Sequence, residues 1–215
     1  MTDESLKVSR QIGFQSLEPS VVFKVVWYAV SSRPGVLLDE YSEPESRSFS
    51  GTARFSVNIG GSHAQVDIGI DQDAKVAIVT LHMADSALAE SYIAELSENI
   101  KRAIDRYTAL NDEDRLRLRY ALISKICWDR TVHAVLKKAP ASEVYYQVAH
   151  GREMLIKAIE GQAATASSLS TGSWLSVVER LPRDEPLPGD VATELAKKSV
   201  EWKKETHSII AKYLQ

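Results

Sequence analysis

At 215 residues and 23.9 kDa the chain has room for one large domain or two small ones. With 44% apolar and 26% charged residues, and only ten Gly and seven Pro, the composition excludes collagen-like, low-complexity and wholly disordered chains. The longest nearly apolar run, Val21 to Val30, is interrupted by Lys24 and falls well short of the roughly 20 residues a spanning helix needs. No membrane association is therefore expected. The acidic start (Asp3, Glu4) lacks the basic and apolar stretch of a secretory signal, and Cys127 is the single cysteine. Both features predict a cytoplasmic protein.

The net charge of -3 is unevenly placed. Residues 1–100 carry 7 Lys+Arg against 14 Asp+Glu, residues 101–139 carry 10 against 5, and residues 140–215 carry 9 against 10. An acidic stretch followed by a basic one either lies against it or offers a surface to an acidic partner.

Residues 1–18 show no sustained period and read as a tail or an edge strand. From Pro19, the polar positions Ser20, Lys24, Tyr28 and Ser31 recur at helical spacing within an apolar run, which predicts a helix over 19–32 that Arg33-Pro34-Gly35 ends. Residues 36–48 are acidic and Pro-interrupted and carry no clear element.

Three alternating runs follow. Gly60-Gly61 supplies the positive φ of a two-residue hairpin between Phe49–Ile59 and Ser62–Asp71, so Phe55 should face Val66 and Ala53 should face Ile68. Arg54/Asp67 and Asn58/His63 then lie on the other side. A turn centred on 71–74 would continue the sheet with Val79 opposite Val66 and His82 opposite His63. The expectation is a three-stranded antiparallel meander, or a four-stranded one, with a single apolar face.

After His82 the period becomes helical. Leu88, Tyr92, Leu96, Ile100, Ala103, Tyr107 and Leu110 form a stripe behind a cap at Asp85 or Ser86. Asn111 caps a second helix over 112–138, whose acids stand at its start and bases at its end. Its apolar positions cover too much of the circumference for a surface helix, so it should be central. Ser142 opens a third helix to about residue 160. The small, polar stretch 161–173 reads as a flexible connection, and a closing helix runs over about 190–213. The fold class is thus α+β: residues 1–160 hold a helix, the meander and the long helices packed on it, and residues 174–215 form a helical C-terminal appendage.

Chemical signatures are sparse. The chain contains no G-x-x-x-x-G-K-S/T, G-x-G-x-x-G, G-x-S-x-G, C-x-x-C or H-E-x-x-H pattern. With two imidazoles opposed across a hairpin, His63 and His82 beside Asn58 are the weak metal candidates, one or two ligands short of a zinc site. No cofactor and no catalytic residue is assigned. Asp129 and His133 stand near Cys127, but a six-residue separation turns Cys127 and His133 apart on a helix, so an ion pair beside a buried thiol is expected rather than a triad. Arg115, Arg119 and Lys125 make the best case for a charged contact, and Trp174 and Trp202 for hot-spot anchors. The arginines splay around the helix, so nucleic acid is not the expected partner.

Three functions follow in order of preference. The first is a non-catalytic interaction protein, an adaptor, chaperone-like factor or assembly subunit that also self-associates as a homo-oligomer. An enzyme with its site around His63 and His82 is the second. A nucleic-acid binder using helix 112–138 is the third.

Overall fold

The computed structural model describes residues 6–14, 16–42, 51–159 and 179–215. The chain divides into two compact units, Met1–Ala109 and Leu110–Gln215. That boundary falls inside the 1–160 stretch expected to share one core, and the proposed connection 161–173 lies outside the described residues.

The first unit is an antiparallel sheet with two helices. In chain order it runs β1 (Leu6–Gly13), α1 (Pro19–Ser31), β2 (Leu37–Tyr41), β3 (Thr52–Ile59), β4 (Ser62–Asp71), β5 (Val76–Met83) and α2 (Ser86–Ala109). The sheet has five strands in the order β1-β5-β4-β3-β2, not the three or four expected, because both flanking segments hide their alternation. In β1, Val8 and Ile12 are buried, yet Arg10 stands between them on the same side. Its guanidinium pairs with Glu90 of α2, which is why a charge is tolerated there. In β2 the register shifts between Leu38 and Glu40. This bulge at Asp39 lets Leu38 and Tyr41, three residues apart, pair with Phe55 and Ala53 on the apolar face.

The β3–β4 hairpin follows its turn chemistry. Gly60 and Gly61 both have positive φ, at 60° and 87°, and Gly61 N–H donates to Asn58 Oδ1 at 2.9 Å. Phe55 faces Val66 and Ala53 faces Ile68. The next hairpin keeps the expected faces but slides by two residues, so that Val66 faces Leu81 and Ile68 faces Val79. Its loop comprises residues 72–75, because Asp71 Oδ1 accepts the Ala74 N–H at 2.9 Å and Lys75 takes φ 52°. That places the turn one residue later than a symmetric reading of 71–74.

Helices α1 and α2 pack on the apolar face. Pro19 starts α1 at its first turn, and Trp27 at its centre meets Phe55 edge-on at 5.2 Å and Tyr41 at 6.5 Å. Burial raises the Tyr28 hydroxyl to about 12. Asp85 caps α2, its Oδ1 accepting the Leu88 N–H at 3.0 Å.

The second unit is helical: α3 (Asp112–Leu136), α4 (Ala141–Ile159) and, closing the chain, α5 (Gly189–Leu214). Asn111 caps α3 by accepting the Asp114 N–H at 2.9 Å. Both α4 and α5 pack on α3, and Cys127, Val144, Val148, Leu155, Leu195 and Trp202 build the core. Gly151 of α4 makes that core possible, since a Cβ there would stand 2.3 Å from the Trp202 ring and 2.7 Å from Cys127 Cβ.

Candidate functional site

The sheet face not covered by α1 and α2 collects the polar members of each strand. At its centre Asp67 is held from two sides. Arg54 donates from Nε to Oδ1 at 2.7 Å and from a terminal nitrogen to Oδ2 at 3.1 Å, and also reaches Glu40 at 3.2 Å. His82 Nε2 lies 3.0 Å from Asp67 Oδ2. A carboxylate only accepts, so the ring nitrogen facing it carries the proton. Burial works against the Asp67 charge, but the hydrogen bonds and charge of Arg54, with His82 beside it, outweigh this and hold the carboxyl below its ordinary range. Both carboxylate oxygens are occupied, so this cluster ties β3, β4 and β5 together.

The two-residue slide dissolves the expected His63/His82 pair. His82 lies opposite Gln65, and His63 opposite Asn58 near the hairpin tip. Asn58 spends its oxygen on the turn. Among the described residues no group of three or more His, Cys, Asp or Glu could hold a metal ion, and no helix is long and apolar enough to cross a membrane.

At the sheet's flanks the two edge strands differ. Phe14 N–H donates to Lys75 O at 3.0 Å, continuing the β1–β5 register by one pair. In an antiparallel ladder hydrogen-bonded and non-bonded pairs alternate. Leu6, Val8, Arg10 and Ile12 therefore direct their backbone groups at β5, and Lys7, Ser9, Gln11 and Gly13 direct theirs outward. The Ser9 and Thr80 hydroxyls meet at 2.9 Å across the non-bonded pair, as that phase requires. The eight residues pair without a bulge. β2 is five residues long, bulged at Asp39 and acidic, features that blunt an edge. No strand pairs with the outer side of β1 among the described residues. The signal for this site was present in the apolar alternation of Leu6, Val8, Ile12 and Phe14, interrupted only at Arg10.

In the helical unit, Lys125 is 1% exposed, and its ammonium lies 2.7 Å from each oxygen of Asp129, which is 6% exposed. Burial lowers the Lys125 pKa while Asp129 opposes that shift. The Trp128 ring has the Lys125 ammonium 5.1 Å and the Lys203 ammonium 4.8 Å from its centroid. Trp202, 3% exposed, donates to Ser124 Oγ at 2.8 Å. Lys125 and Trp202 thus face the interior, and contact with a partner would require this unit to open. Arg115 lies 3.6 Å from Asp112, and Arg117 lies 2.5 Å from Glu113, so α3 answers much of its positive charge with its own acids. Arg119 is half-buried, and Trp174 lies outside the described residues. Burial pushes the Cys127 thiol up to about 12, which removes it as a nucleophile at neutral pH.

Comparison with known proteins returned no match: no family model, no curated protein and no solved structure resembles this chain.

Proposed function

We propose that this protein is a non-catalytic interaction protein that receives an extended segment of its partner as a sixth strand on β1. The observation that carries this is the phase of the β1 ladder. Four consecutive outward residues, Lys7, Ser9, Gln11 and Gly13, offer backbone donors and acceptors along an unbulged eight-residue edge. Strand addition draws its affinity from such main-chain bonds and its specificity from alternate side chains. The opposite edge is short and bulged, so recruitment would be one-sided, as suits an adaptor or assembly subunit rather than a polymer.

Amide hydrogen exchange tests this with a capped, seven-residue peptide of alternating Val and Thr carrying a solubilising tail. The amides of Ser9 and Gln11 should exchange freely in the protein alone and become protected when the peptide is added. Gln11→Pro removes one outward donor and spares the bonds to β5, the position at which an edge strand accepts proline. Protection should vanish in that variant while the melting temperature is retained. Protection that never develops in the wild-type protein would sink the proposal.

A further inference from the structure

We infer that the strand received by β1 is an acidic segment of a different protein rather than a second copy of this chain. This rests on the strand-addition proposal above and adds the partner's chemistry. β1 reads Leu-Lys-Val-Ser-Arg-Gln-Ile-Gly, with two cations and no acid. Arg10 points to the helix side and is neutralised by Glu90. Lys7 occupies an outward-bonding position opposite His82 on the open face, is exposed, and has no ion-pair partner among the described residues. A strand laid beside it sets one side chain directly across from Lys7, and opposite charges at such cross-strand positions stabilise whereas like charges destabilise.

A second copy pairing β1 on β1 cannot supply the acid, because that strand has none, and the acidic edge β2 of a second copy is only five residues long and bulged at Asp39, a poor match for an unbulged eight-residue ladder. Leu6, 41% exposed on the helix side, gives the second half of the specification. The neighbouring residue of the incoming strand, which points to that side, should be apolar to cover it. The occupant is therefore an extended segment that alternates apolar residues with polar ones and carries an Asp or Glu across from Lys7. The excess of acids in residues 1–100 opposes an acidic partner only at long range, and at physiological salt, charges beyond about 8 Å are largely screened.

Calorimetric titration in 0.15 M salt with two versions of the Val/Thr peptide, one with the Thr that stands across from Lys7 replaced by Glu and one by Lys, tests this. The acidic peptide should bind about fivefold more tightly than the basic one, the range an exposed cross-strand pair supplies. Lys7→Glu should invert the preference, and Gln11→Pro should abolish binding of both. Equal affinities, or a preference that Lys7→Glu leaves in place, overturn the acidic assignment while the edge itself stands. If neither peptide binds, or Gln11→Pro binds both undiminished, the strand-addition proposal falls first. A concentration-dependent dimer in sedimentation of the protein alone, dissolved by Gln11→Pro, would make the second copy the occupant and overturn the inference.

Discussion

In the sheet unit the interior is assembled from Trp27, Phe55, Val66, Leu81, Ile93 and Leu96, and among the described residues no charged side chain is buried there. The helical unit instead seals Lys125, Asp129, Ser124, Thr131, Gln147, Ser199 and Thr206 alongside its apolar residues. A sheet with one covered face sorts polar from apolar at every second residue, so its charges, Arg10 at the edge excepted, fall on the open side. A helix packed on two neighbours has little open side left. A charge on it either reaches solvent or finds a partner one turn away, as Lys125 finds Asp129 at i+4. The first unit therefore depends on shape and the second on paired polarity, and the two should fail differently when cut.

The largest effects come from cutting each centre. Phe55, 0% exposed, stands between Val66 and the Trp27 ring, so Phe55→Ala should cost about 3–5 kcal/mol through lost burial and a cavity. Gln65→Ala on the opposite face of the same sheet should cost under about 1 kcal/mol. Urea unfolding followed by hydrogen exchange in β3 and β4 reads both. Similar losses at the two positions would show that the open face is covered in solution.

Asp129→Ala should cost a comparable amount, about 3–5 kcal/mol, by leaving the Lys125 ammonium buried without its carboxylate. What separates the units is rescue. Adding Lys125→Met to Asp129→Ala should recover most of the loss, since an apolar pair replaces a desolvated ion pair, whereas no charge change restores the Phe55 cavity. The rate at which the single thiol Cys127 is labelled reports opening of the helical unit directly, because burial keeps it unreactive in the folded state. A double variant labelled as fast as Asp129→Ala would show that the ion pair itself, and not relief of a stranded charge, holds the unit.

Smaller is the effect expected at the helix crossing. Gly151→Ala places a methyl 2.3 Å from the Trp202 ring, and shifting an indole that also bonds Ser124 should cost about 1–3 kcal/mol. An unchanged Cys127 labelling rate would mean that α4 yields there without strain.

How much of this was legible in the sequence follows from the same contrast. Phe55, Val66 and Ile68 were readable because a strand's period is two and Gly60-Gly61 pinned the register between β3 and β4. The His63/His82 pairing failed because the next turn is set by the Asp71 side chain and by φ at Lys75, which alternation does not encode. β1 was legible only as a tail or an edge strand, and β2 not at all, because their exceptions are resolved at a distance: Arg10 by Glu90 of α2, and Leu38 with Tyr41 by a bulge. In α3, Lys125 reads as part of a basic surface, since its burial depends on α4 and α5 closing over it, and charge patterning along one helix carries no record of what packs against it.

The smallest expected effect separates the units by pH. His207 in α5 is lowered from the ordinary histidine value by burial first, then by the charges of Lys125 and Lys203. Its folded state resists the proton more than its unfolded state does. The corresponding stability is present above the unfolded value of about 6.5 and is lost as pH falls through that value toward the folded one. Asp67 in the sheet unit is also lowered, but from the carboxylate range. Its contribution is intact above about 3.9 and disappears only as pH falls below that. Exchange rates in α3 and α5 should therefore rise as pH falls below about 6.5, while those in β3 and β4 hold until the solution is distinctly acidic. His207→Gln should flatten the first transition and leave the second, and Asp67→Asn should do the reverse. If the two units loosen together over the higher range, or if His207→Gln leaves the early transition unchanged, the assignment of that pH sensitivity to the Lys125, Lys203 and His207 cluster is wrong.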